Sequence, residues 1–138
     1  MEDFIPFELA IKLKENGFKQ GFNIFGHKLV FSNENTIKHI SDIGAYEKEY
    51  FGINIPCPSI SQVLKRLRDT HKLFISPCVI ADYQDDFHRD ITYWSFIVVN
   101  IESGDSIYRE YERVTEKRYD TYEDAAIAGI EYAIDNLI

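Results

Sequence analysis

Apolar and polar positions alternate along this chain in two rhythms, one helical and one of strands. Near the start, Ile5, Leu9, Ala10 and Leu13 recur at helical spacing, with Lys12, Lys14 and Glu15 on the other side. Pro6 suits the first helical position, where a missing N–H costs nothing. Asn16-Gly17 is a stop signal, because glycine takes the left-handed conformation freely and lets Phe18 fold back toward Leu13. A second helix opens at Pro58-Ser59. Ser59-Ile-Ser-Gln62 fits a capping box, in which hydroxyl and amide satisfy each other's orphan backbone donors. Ile60, Val63, Leu64 and Leu67 form its apolar face, Lys65, Arg66 and Arg68 face away, and the helix should end near Thr70-His71. A third helix starts at Thr121, with Asp124 in a weaker capping-box position and Glu123 and Asp124 at the positive end of the dipole. Tyr122, Ala126, Ile130, Ala133 and Leu137 are its expected buried stripe. Ala125, Ala126, Ala128 and Gly129 should let the backbone lie close to whatever it covers.

Between the second and third helices the period changes to two. Residues 73–81 are apolar but contain Pro77, which cannot donate to a ladder, so this is an edge or bulged strand. Residues 82–90 read as a polar loop. Residues 92–101, β-branched and aromatic almost throughout, read as the central strand. Glu102-Ser-Gly-Asp-Ser is a hairpin turn, and residues 107–114 alternate as a third strand, with Arg109, Tyr111 and Arg113 on one face. Upstream, residues 22–25 and 28–31 look like two short strands about Gly26 and His27, and 33–36 like a polar turn. The stretch 18–55 is expected to be an excursion that packs its rings onto the main sheet. The expected fold is one α+β domain over residues 1–138. An antiparallel sheet of about three to five strands packs against two or three helices, and the C-terminal part reads helix–three strands–helix.

Composition narrows the function classes. With 138 residues, 45% of them hydrophobic and 14% aromatic, the chain can build a core without metal or disulfide staples. The net charge is −8, and it is uneven: six lysines against eight acids over residues 1–58, nine basic residues against fifteen acids over 59–138. Such a field repels phosphate backbones and anionic membranes, which disfavours nucleic acid as a partner. The first residues hold no basic stretch followed by an apolar run, and no apolar run is long enough to span a bilayer, so a cytoplasmic location with no membrane partner is expected. Cys57 and Cys78 lack metal-ligand spacing and the basic or helix-N-terminal setting that activates a thiol; both are expected to be free, buried and structural.

The candidate chemistry is sparse. Asp82, Asp85, Asp86 and Asp90 surround His88 within nine residues, which suits a hard cation or acid/base work. The spacing lacks the glycine and terminal glutamate of a calcium-binding loop, and a solvated hairpin loop is the preferred reading. Lys65, Arg66 and Arg68 on the second helix are a candidate contact for phosphate or an acidic partner, or simply a solvated face beside the helix's negative end. Arg109, Tyr111 and Arg113 could stack bases, although a ring between arginine stems is the commoner arrangement. No phosphate-cradling glycine loop and no nucleophile elbow occur. No catalytic residue and no cofactor is assigned. Tyr46, Tyr50, Phe51, Tyr83 and Phe87, in expected loops, are candidate anchors for a protein partner.

The order helix, three strands, helix over residues 59–138 resembles the double-stranded RNA-binding domain in topology. That family grips phosphate with lysines at the start of its last helix. The corresponding Thr121-Tyr-Glu-Asp-Ala-Ala is acidic, so RNA binding is not carried over. Three stretches, Ile5-Pro-Phe-Glu-Leu-Ala10, Pro58-Ser-Ile-Ser-Gln-Val-Leu-Lys-Arg-Leu-Arg68 and Thr121-Tyr-Glu-Asp-Ala-Ala-Ile-Ala-Gly-Ile-Glu131, are similar to those of a group of small uncharacterised proteins of gut bacteria and their phages or mobile elements. The resemblance implies an accessory-gene origin and brings no activity. The leading expectation is therefore a non-enzymatic interaction module with a protein partner. A metal-binding or hydrolytic domain using the 82–90 loop, and a nucleic-acid binder through the second helix, are the alternatives.

Overall fold

Each of the three helices among the described residues begins or ends where its local chemistry places it. The computed structural model describes residues 4–18, 23–24, 27–33, 36–41, 55–83, 90–112 and 118–138. Helix α1 (Phe7–Glu15) has Pro6 as its N-cap, one position earlier than the sequence suggests, with the Ala10 N–H donating to the Pro6 carbonyl at 2.9 Å. At the other end Gly17 adopts φ +92°. The Phe18 N–H donates to the Leu13 carbonyl at 2.9 Å and the Gly17 N–H to Lys14 at 3.1 Å, which is the Schellman pattern.

The chain forms two compact units, Met1–Val63 and Leu64–Ile138. In the first, β1 (Asn23–Ile24), β2 (His27–Asn33), β3 (Thr36–Ser41) and β4 (Ile55–Pro56) form an antiparallel sheet in which β2 pairs with all three others. Residues 18–55 thus carry more strand than the sequence pattern suggests. The described strands there form a sheet of their own, in which β2 pairs with β3 and β4, neither of which is evident in the sequence. Ile5, Leu9, Leu13, Phe18, Val30 and Phe31 are buried here, and Phe7 meets Phe31 edge to face at 5.3 Å.

Helix α2 (Ile60–His71) begins in the first unit and ends in the second. Its capping box is formed: the Ser59 N–H donates to Gln62 Oε1 at 3.0 Å and the Gln62 N–H to Ser59 Oγ at 3.2 Å. A single residue, Lys72, with φ +56°, turns the chain from α2 into the next strand.

The second unit carries a sheet in the order β5 (Leu73–Tyr83), β6 (Asp90–Asn100), β7 (Ser106–Arg109), all antiparallel. The C-terminal helix follows as α3 (Tyr122–Asn136), so the α+β class holds, with the strands divided between two sheets. Thr121 Oγ1 accepts the Asp124 N–H at 3.1 Å and caps α3. Between β6 and β7, Asn100 Oδ1 accepts the N–H of Glu102 and of Ser103, and Gly104 takes φ +76°.

Register explains how Pro77 is tolerated. The Ile101 N–H donates to the Lys72 carbonyl at 3.0 Å, directly before the pair Leu73–Asn100. Antiparallel pairs alternate between bonded and non-bonded. Counting in twos, Phe74, Ser76 and Cys78 bond to β6, while Leu73, Ile75, Pro77 and Val79 turn their backbone groups to the side of β5 away from β6. Trp94, opposite Val79, confirms the phase: it exchanges both its bonds with Tyr119 on the other side of β6, at 2.8 and 3.0 Å. Pro77 therefore costs the β5–β6 ladder nothing, and its missing donor falls on the edge.

Helix α3 lies directly on this sheet. Ala125, Ala126, Gly129, Ile130, Ala133 and Ile134 are buried, with Phe96 and Val98 beneath. A Cβ on Gly129 would overlap Ile75 Cγ2 and stand 3.2 Å from the Phe96 ring. The expected stripe needs correction at both ends. Tyr122 is 41% exposed and Leu137 half-buried, because the covered face turns toward Ala125, Gly129 and Ile134. Gly129→Val should destabilise the protein by about 2 kcal/mol through overpacking of a buried site. The check is the urea midpoint at unchanged denaturant slope.

Candidate functional site

A cleft of about 270 Å³ opens in the second unit, lined by Leu64 and Arg68 of α2, Phe74, Ile75, Ser76 and Pro77 of β5, and Tyr122 of α3. Each wall has a local cause. Leu64 and Arg68 lie four residues apart and so share one side of α2. The strand alternates around its buried members Leu73 and Ile75, which leaves Phe74 43% exposed. Tyr122, the first residue of α3, meets the Trp94 ring edge to face at 5.7 Å. Phe74, Tyr122 and Arg68 thus all border one hollow. Ligand pockets for small molecules run to roughly 300–1,000 Å³, so this one suits a side chain or two of a partner better than a cofactor.

Arg68 is the one basic candidate that reaches the cleft. Its Nε stands 3.6 Å from Asp69 Oδ1, both side chains about half exposed, an arrangement worth little in water. Lys65 is exposed and lies outside the lining; Arg66 is half-buried rather than turned to solvent. Tyr83, expected in a loop, belongs to β5, and so does Asp82; Asp90 starts β6 and pairs with Tyr83. The strands of this hairpin thus run further than the apolar pattern suggests, since backbone pairing does not depend on apolar side chains. Asp85, Asp86, His88 and Phe87 lie outside the described residues, as do Tyr46, Tyr50 and Phe51. Among the described residues no group of three His, Cys, Asp or Glu could hold a metal ion.

The alternating face expected of Arg109, Tyr111 and Arg113 does not continue from Arg109 to Tyr111, and Arg113 lies outside the described residues. Strand β7 ends at Arg109, and a 3-10 turn (Glu110–Glu112) follows, so Tyr111 leaves the strand's alternation. At the start of the turn Glu110, 8% exposed, accepts a hydrogen bond from the Tyr108 hydroxyl. Around it Tyr108 stacks on Tyr132 at 3.8 Å, and Phe96 lies 5.7 to 6.4 Å from Tyr108, Tyr119 and Tyr132. Burial first, then the Glu110 charge, pushes the Tyr119 hydroxyl up to about 12. Tyr108, Tyr119 and Tyr132 are half-buried and packed around the buried Phe96 ring, and Tyr108 also lines a hollow of about 410 Å³ with Asp105, Ser106, Ile107 and Arg109.

Both thiols are held protonated. Burial pushes Cys57 up to about 11, and it also raises Cys78, which stands opposite Ser95 in the ladder. Cys57 is fully buried and Cys78 partly so, which fits structural rather than nucleophilic cysteines.

Phe74, Ser76, Pro77 and Tyr122 were not among the site residues expected from sequence. The available signal was Phe74 itself, a large ring out of phase with the buried Leu73 and Ile75 on an edge strand. No family model, curated protein or solved structure matches the chain, so the functional reading rests on this geometry.

Two outcomes follow. In native protein at pH 8, Cys57 should alkylate at least about 100-fold more slowly than in unfolded chain, given its thiolate fraction; mass spectrometry of iodoacetamide-treated protein reads this. For Tyr119 the folded state keeps its proton to higher pH than the unfolded chain. Stability therefore falls as pH rises from about 10 to about 12. Tyr119→Phe should flatten the stability profile in that window relative to the unsubstituted protein.

Proposed function

We propose that this chain is a non-enzymatic interaction module that binds another protein through the cleft between α2, β5 and the start of α3. The supporting observation is the convergence of Phe74 and Tyr122, each more than 40% exposed, on one hollow beside Arg68. Exposed large apolar side chains gathered at one place mark interaction sites more often than scattered ones do. Aromatic and arginine side chains are also the types that dominate binding energy at interfaces. An accessory role, of phage or mobile-element origin, follows from the resemblance of the three motif stretches alone. No helix among the described residues is long and apolar enough to cross a membrane.

The test places a photo-crosslinking amino acid at Phe74, at Tyr122 and, as a control, at Ile107, in the cell of origin. Phe74 and Tyr122 should both join to the same discrete protein, Ile107 should not, and Arg68→Glu should remove the adduct while leaving the melting temperature unchanged. No adduct at Phe74 and Tyr122, or equal labelling from Ile107, overturns the proposal.

A further inference from the structure

The sheet of the second unit has two outer strands, and they differ in exposure. Leu73 and Ile75 of β5 are buried, whereas Asp105 and, in β7, Ser106, Ile107 and Arg109 are all exposed. No strand pairs with the outer side of β7 among the described residues. Asn100 and Trp94 both bond on the side of β6 away from β5, so Val98, in step with them, bonds there as well. Tyr108, opposite Val98, thus turns its backbone inward, and Ile107 beside it turns outward. The register agrees. Ser106 stands opposite Val99 and Tyr108 opposite Val98, which leaves Ile107 as the extra residue of a bulge, with no partner in β6. Its side chain is 41% exposed.

The hollow on this edge is complementary to itself. Its lining runs from Asp105 to Arg109, with Ile107 at the middle. One end is acidic and the other basic. A two-fold axis through Ile107 reverses that order, so the acidic end of one copy meets the basic end of another.

We propose that two copies of this chain pair through β7, antiparallel about a two-fold axis at Ile107, and join their three-stranded sheets into one. Ile107 exchanges backbone bonds with its own copy and covers its exposed side chain against it, while Arg109 of each copy faces Asp105 of the other. The contact is isologous, one patch serving both copies. It goes beyond the cleft and does not rest on it. Arg109 Nε donates to Ser106 Oγ at 3.2 Å, and a guanidinium has further N–H groups with which to hold a carboxylate at the same time. The Asp105 carbonyl accepts from the Asn100 N–H and its own N–H donates to Ser103 Oγ, which fixes the acidic end of the hollow in the hairpin.

The net charge of −8 opposes self-association, but salt screens distant charges over about 10 Å at 0.1 M. The charges inside the contact therefore decide. A strand of an unrelated protein would have to bring an acid and a base in the reverse order, which a second copy does by symmetry. Five lining residues a side fall well short of the roughly 20–30 of a stable interface, so the dimer is weak and concentration-dependent.

Sedimentation equilibrium of the full chain tests this. The protein should pass from monomer to dimer as its concentration rises toward about 1 mM. Asp105→Arg and Arg109→Asp should each weaken the dimer by about tenfold or more, because like charges then face each other twice. Mixed in equal amounts, the two variants should dimerise with one another, since both facing pairs are then opposite in charge. Ile107→Asp, which leaves both charged residues in place, should also weaken the dimer. Each variant should keep the circular dichroism spectrum of the monomer. A chain that stays monomeric throughout, a dimer indifferent to these substitutions, or a mixture that fails to pair overturns the proposal. A crosslinker at Ile107 should yield an adduct of twice the chain mass, distinct from any protein captured at the cleft. Loss of either result leaves the other standing.

Discussion

The second unit depends on how closely the α3 backbone approaches the sheet at Gly129. With no Cβ there, the helix settles against Ile75 and the face of Phe96, and the alanines on either side keep that approach continuous. Interiors packed at crystal density tolerate no spare methyl group. The rest follows from the depth. Phe96 is held low enough to take Tyr108, Tyr119 and Tyr132 around its ring. Helix α3 is set so that its first residue, Tyr122, reaches Trp94 at one end of the sheet.

That placement makes the cleft. Tyr122 stays partly exposed because the buried side of α3 is built on Ala125, Gly129 and Ile134, and the helix start overhangs the region of Pro77. The same seating uses Ile75 as a core residue, and strand alternation then obliges Phe74 to face outward. The exposed rings are thus consequences of a core requirement, not additions to the surface. Arg68 joins them because α2 passes into β5 through one left-handed residue, which keeps the last turns of the helix beside the first residues of the strand.

Pro77 links edge and core in another way. In the bonded phase it would have cost β6 a donor; in the free phase it removes one from the edge. Unpaired edge strands invite unwanted pairing, and proline is one device that limits it. At the start of β5 the residues in the same phase, Leu73 and Ile75, are buried as well, so the side of the strand away from β6 is covered there.

Local chemistry determined a good part of this protein. The Ser59–Gln62 box, the Thr121 cap, the Gly17 stop, the Gly104 turn, the edge character of β5 and the central character of β6 all follow from side chains acting within a few residues of themselves. Small residues at Ala125, Ala126 and Gly129 announced a close-packed helix. Tertiary structure decided what depends on partners distant in the chain. It made a sheet of residues 23–56, where β3 and β4 carry little pattern of their own and exist through pairing with β2. It ended β7 at Arg109 and followed it with a 3-10 turn whose Glu110 is buried beside the Tyr108 hydroxyl, which no alternation of charges foretells. It also chose the site. Lys65, Arg66 and Arg68 are equally basic in sequence, and only the packing of α2 beside β5 sends Arg68, and not its neighbours, into the company of Phe74 and Tyr122.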